Sequence, residues 1–156
     1  MTREDQIEAR AASGEATVDT MMADYSEDAV NHARTMGEIL DYSVDSLKKV
    51  ERILTKLADA QPKGIAKLFR KSPTQTDIED ICRMYGGYIG EVMRFEWGGE
   101  WIIPDDGHYA GELVVKSGDS MVSPPAKVYK RLTGGPGQDI FRYYQVLTQL
   151  KNEDSK

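Results

Sequence analysis

Residues 76–101, TDIEDICRMYGGYIGEVMRFEWGGEW, constrain the fold more than any other part of the chain. Ile78, Ile81, Cys82, Tyr85, Ile89, Val92 and Met93 recur at helical spacing and define the buried stripe of a long helix. Gly86, Gly87 and Gly90 lie in the middle of it. A glycine inside a helix costs about 1 kcal/mol relative to alanine, so a cluster of them calls for a packing reason. The expected reason is another backbone crossing at short distance, with Gly86 and Gly90 on the shared face. Beyond the helix, Gly98-Gly99 makes a turn between Trp97 and Trp101.

The rest of the chain arranges itself around this helix. Residues 1–24 are polar and alanine-rich, with Ile7, Val18, Met21 and Met22 as the only larger apolar groups, and read as a loosely held segment. Ser26 is the expected N-cap of the next helix, with Glu27 and Asp28 in its first turn and an end near Leu40. Ser43 or Asp45 caps another, in which Leu47, Val50, Leu54 and Leu57 form the apolar stripe. The short Asp41-Tyr42 link makes the two an antiparallel hairpin. Segment 64–73 reads as a short amphipathic helix with Lys63, Lys67, Arg70 and Lys71 exposed. EWGGEWIIP, GELVVKSGD and AKVYKRL read as strands, the first two joined by the turn-forming Asp105–His108 stretch. Asp139 caps a closing helix, DIFRYYQVLTQLK. The expected fold class is α+β: an N-terminal helical hairpin, a long glycine-containing helix, a small antiparallel sheet of about three strands and a C-terminal helix. Residues 25–151 form the single domain, with 152–156 as a disordered tail.

Little in this pattern carries covalent or redox chemistry. Cys82 falls beside core positions, where a thiol stays neutral, and no histidine shares its helix to activate it. His32 sits on a polar helix face and His108 in a turn, and neither shows the paired spacing of a zinc site. The Gly86–Gly90 run lacks the preceding strand and the trailing Gly-Lys-Ser/Thr of a phosphate loop. Glu91 reads as a buried ion-pair member. Lys130, Arg131 and the Gly134–Gly137 turn precede a helix N-terminus, as an anion site would, but Asp139 occupies the cap position and would repel an anion. Catalytic residues, metal ligands and cofactors are therefore not expected.

Charge and cysteine usage narrow the class. One cysteine allows no internal disulfide, which fits a reducing cytoplasm. The charged start, MTREDQIEAR, does not read as a signal peptide, and no apolar run approaches the roughly 18 residues of a membrane span. A net charge of -6 argues against nucleic acid as a partner. The charge is also unevenly spread, with nine acidic against two basic side chains in residues 73–112. Within that sector Glu96, Trp97, Glu100, Trp101, Asp105, Asp106 and Tyr109 make the expected partner-binding surface. Aromatic anchors in a field of one sign suit a basic protein partner.

Three phrases occur together: LDYS followed by SLKKVERIL in residues 40–54, GGYIGEVMR with its trailing GGEW, and the late AKVYKRLTGG. This combination resembles a group of small, mostly uncharacterised bacterial cytosolic proteins, some of them immunity proteins encoded beside secreted toxins. The resemblance covers roughly residues 40–147 and rests on scaffold motifs. It implies an α+β fold and, through its immunity members, a non-enzymatic module that occludes a toxin; the acidic 73–112 sector points to a basic toxin domain as the partner. The alternative is a small enzyme or ligand-binding domain with a pocket between the glycine-rich helix and the sheet, holding Glu91, Arg94 or His108. A structural subunit assembling through the N-terminal hairpin is a third class. The sequence does not define the oligomeric state.

Overall fold

The chain is described here by a computed structural model covering residues 1–60 and 75–154. Its elements are α1 (Arg3–Ala11), α2 (Val18–Thr35), α3 (Ser46–Asp59), α4 (Gln75–Trp97), β1 (Glu100–Ile102), β2 (Val114–Ser117), β3 (Ser120–Val122), α5 (Pro124–Gly134), a 3-10 turn at Pro136–Gln138, and α6 (Ile140–Asp154). The expected α+β layout is present. The segment 64–73, expected as a short amphipathic helix, lies outside the described residues, as does Lys63. Among the described residues no helix is long and apolar enough to cross a membrane.

Helix α4 is the hub, packing most extensively on α2 and α5. Tyr85, Tyr88, Ile89, Val92 and Met93 are fully buried along it. Its glycines face three different neighbours. A Cβ on Gly86 would lie 2.6 Å from the backbone of Pro125 in α5, and one on Gly87 would lie 3.2 Å from the Met22 carbonyl of α2. At Gly90 the neighbour is a side chain, not the backbone expected: its Cβ would fall 2.1 Å from Trp101 Cζ2. The indole thus fills the space between helix and sheet at Gly90.

The sheet is antiparallel in the order β1-β2-β3, with Trp101 opposite Val115 and Val115 opposite Val122. All three are buried, so this row is the core face. Period-two alternation puts Lys116 and Met121 outward as the next cross-strand pair.

Four expectations are corrected. AKVYKRL is not a strand but part of α5, where Ser123 caps the helix through Ala126 N and the two prolines occupy its first turn. Proline lacks the N–H that a helix start leaves unpaired anyway, while Val128 and Leu132, four apart, point inward. The third strand is instead Ser120–Val122. Residues 1–24 are not loose: Thr2 caps α1 in a reciprocal capping box with Asp5, and Ile7 is fully buried. Ser26 is no N-cap, because α2 begins earlier under Thr17; Ser26 is buried and donates to the Tyr42 hydroxyl at 2.8 Å. Finally, α6 runs to Asp154, so residues 152–154 are helical where a disordered tail was expected.

The link between α2 and α3 is tied down. Tyr42 has φ of +63°, a conformation bulky side chains rarely adopt. Its N–H donates to the Tyr88 hydroxyl at 2.7 Å, its ring stacks on Tyr88 at 4.7 Å, and Ser46 Oγ meets the same hydroxyl at 2.5 Å. Ser43, one of the two expected caps, accepts from Ser46 N at 3.1 Å, whereas Asp45 makes no cap bond.

Candidate functional site

The most polar interior feature is built around Glu91, whose carboxylate is fully buried four residues beyond Gly87. Arg10 of α1 grips it with Nη1 at 2.6 Å and Nη2 at 3.0 Å. Arg94, one turn on, reaches both oxygens at 3.2 and 3.3 Å, and Trp101 Nε1 donates at 2.9 Å. Asp19 at the start of α2 closes the ring, accepting from Arg10 Nε at 2.8 Å and lying 3.2 Å from Arg94. Two guanidinium groups thus alternate with two carboxylates. Burial opposes the charge on Arg10, but its bonds to Glu91 and Asp19 outweigh this and raise its pKa above the ordinary value. Both Glu91 oxygens are occupied by donors, so the cluster is a clasp between α1, α2, α4 and β1. Such a carboxylate is poorly placed to accept a proton from a substrate.

Other reactive groups are similarly engaged. Cys82 is 6% exposed, and burial pushes its thiol up to about 11, far from the range of a nucleophilic thiolate. His32 Nδ1 lies 2.5 Å from the hydroxyl of buried Tyr85, and desolvation lowers its pKa. The basic turn before α6 is no anion cradle. Arg131 is buried and bonded to Glu51 Oε1 and Oε2 at 2.9 Å, and Asp139 caps α6 through Arg142 N at 2.8 Å. Among the described residues no three histidine, cysteine or acidic side chains converge as a metal site would require.

What remains open is a surface feature, the loop 103–113 between β1 and β2. Gly111 N donates to Pro104 O at 2.9 Å and closes its base, while Gly107 and Gly111 turn the chain with positive φ. The loop stands between two clefts. On one side Ile103 helps line a groove of about 560 Å³ with the α1–α2 turn and the first turns of α2. On the other, Gly111, Glu112 and Leu113 line a cleft of about 390 Å³ against Cys82 and Arg83 of α4 and Tyr129 of α5. Ile103 and Tyr129 are 44% and 46% exposed, and Met21 in the first groove is 39% exposed.

The residues expected to bind a partner divide into two groups. Asp105 and Asp106 are exposed on this loop, Tyr109 is half-buried with its ring edge-on to His108, and Glu100 is exposed opposite Lys116. The others are engaged elsewhere. Glu96 is bridged by Arg3 at 2.7 Å. Trp97 stacks on Tyr144 at 5.5 Å with Lys151 over its ring. Trp101 is buried in the core and tied to Glu91. Of the two tryptophans expected on the partner-binding surface, Trp97 docks its ring on α6 and Trp101 fills the gap at Gly90.

Met21, Asp24, Glu15 and Ile103 were not picked out by sequence pattern. Three of them fall in the polar N-terminal stretch, and Ile103 reads as an ordinary strand end. The usable signal was the Ile103-Pro104 step, since proline ends the strand and leaves the preceding aliphatic group outside the ladder. Compared with protein-family models, with curated proteins and with solved structures, the chain matches none.

Proposed function

We propose that this protein is a non-enzymatic binding module of the immunity type, whose loop 103–113 enters an interface with a basic toxin domain and occludes it. The observation that carries this reading is the position of that loop: closed at its base, carrying Asp105 and Asp106 outward, and flanked by two clefts with exposed apolar rims. Loops held on a rigid scaffold are where recognition concentrates, and exposed apolar groups beside one sign of charge make a typical recognition surface. The pairing of Glu91 with Arg10, the burial of Cys82 and the contact of His32 with Tyr85 also support a role without covalent chemistry. An acidic rim accelerates encounter with a basic partner, which is what an antidote to a toxin requires.

The test begins with a partner isolated from the source cell and proceeds to binding kinetics. Replacing Asp105 and Asp106 together by lysine is expected to slow association by about tenfold at low salt and by less as salt rises. Dissociation should change less than association. Thermal melting serves as the control that the fold survives, since both side chains are exposed. Association unaffected by the double reversal at any ionic strength would overturn the reading.

A further inference from the structure

The groove between the α1–α2 turn and the end of β1 has a composition of its own. Ala11 and Val18 give it an apolar lining, Met21 and Ile103 contribute exposed aliphatic groups, and Glu15 and Asp24 supply its charge. Among the described residues no lysine or arginine lines it. Arg10, next to the lining residue Ala11 in sequence, has both ends of its guanidinium engaged by Asp19 and Glu91. The groove is thus apolar inside and acidic at the edge, with no basic side chain among the described residues lining it.

Resting on the binding reading above, we infer that this groove seats an apolar side chain of the partner, presented on a lysine- or arginine-rich segment. Charge complementarity selects that occupant. A neutral apolar segment would leave Glu15 and Asp24 partly desolvated without compensation, and an acidic one would be repelled. The carboxylates nearby already oppose one another. Glu27 and Asp28 have raised pKa values, chiefly through burial; Glu8 and then Asp24 add to this at Glu27, and Asp24 at Asp28. A cation at the groove edge relieves that repulsion. Methionine suits the wall, because its unbranched thioether adapts to the shape of whatever enters. The groove volume of about 560 Å³ accommodates a leucine or phenylalanine side chain with the backbone that carries it.

Two short synthetic peptides test this on the full chain: one lysine-rich with a single central leucine, the other identical but with serine at that place. They are titrated into isotope-labelled protein while backbone amide shifts are followed by NMR. The leucine peptide is expected to shift amides from Val18 to Asp24 together with Ile103, and to bind about tenfold more tightly than the serine peptide. Met21→Ser, an exposed position, should remove most of that difference while leaving the serine peptide unaffected. Equal binding of the two peptides, or no shifts at the groove, overturns the inference. Shifts confined to Asp105, Asp106 and Tyr109 also overturn it, yet leave the loop reading in place. The isolated partner separates the two claims again: kinetics that depend on Asp105 and Asp106 but ignore Met21→Ser end the groove and spare the binding module.

Discussion

A methyl group added at Gly90 would meet the Trp101 ring at 2.1 Å and Val115 Cγ2 at 3.1 Å, and one at Gly86 would meet Pro125 backbone atoms at 2.6 Å. At Gly87 the closest atom is 3.2 Å away, the Met22 carbonyl oxygen, with Ser26 N at 3.3 Å. These distances rank the three alanine substitutions. Every one of them gains about 1 kcal/mol in helix propensity over glycine. At Gly87 a shift of a few tenths of an ångström relieves the contact, so Gly87→Ala should lie near neutral. At Gly86 the obstacle is backbone at the start of α5, which moves only by moving the helix. At Gly90 it is an indole fixed by its bond to Glu91 at 2.9 Å. Gly86→Ala and Gly90→Ala should therefore each cost about 1–3 kcal/mol net, measured as a lower urea midpoint with unchanged slope. A Gly87→Ala variant less stable than the other two would show that the α2–α4 crossing, rather than α5 or the indole, sets the tolerance.

Helix α1 shows why hydrophobic pattern undervalued the N-terminus. It buries one aliphatic side chain, Ile7, and its other deep contact is the Arg10 guanidinium on Glu91. Periodicity arguments count apolar residues, so an arginine that completes an interior clasp is invisible to them. The α5 segment is ambiguous for a related reason: Val128 and Tyr129 favour strands locally, while Ser123-Pro124-Pro125 is a helix start whose capping decides the outcome. The long α4 was readable because its apolar stripe is long and strong, and the Asp139 cap because its chemistry is local. Loop 103–113 is readable only in part, since turn residues announce a loop but say nothing of the clefts beside it. Removing residues 1–14, which spares the Thr17 cap of α2, should accordingly cost about 3–5 kcal/mol. The loss combines the space vacated by Ile7 with a Glu91 that keeps only Arg94 and Trp101. Arg10→Ala in the full chain should reproduce part of this loss in urea unfolding. A truncated chain with the parent's midpoint would return α1 to the status of an appendage.

Two arginine–carboxylate pairs fasten the helices: Arg10 to the buried Glu91 on the N-terminal side, and the buried Arg131 to the partly buried Glu51 on the other. Glu51 does more than pair. It accepts the Ile140 N–H at 3.0 Å where α6 begins, and Arg131 also reaches Thr55 Oγ1 at 2.6 Å, so α3, α5 and α6 meet there. Burial works to raise the Glu51 pKa, but the bonds from Arg131, Ile140 and Thr55 outweigh it and hold the group below its ordinary 4.5. A depressed carboxyl contributes stability that is present above the unfolded-state value and lost as pH falls through the folded one. Glu27 behaves oppositely. Burial first, and then Glu8 and Asp24, raise it above 4.5, so its contribution is present below the unfolded-state value and lost as pH rises through the folded one. Urea midpoints of the parent, Glu51→Gln and Glu27→Gln, followed from neutral pH to below about 4.5, should therefore diverge in sign. The parent should exceed Glu51→Gln at neutral pH, and the gap should narrow as pH falls below 4.5. Glu27→Gln should exceed the parent at neutral pH, and that gap should close as pH falls towards 4.5. Comparing each variant with the parent cancels the contribution of His32, whose lowered pKa also weakens the fold as pH falls below 6.5. A Glu51 gap that held constant down to full protonation would mean the carboxylate's charge is irrelevant to joining these helices, leaving packing around Ile140 and Val128 to hold α5 and α6 in place.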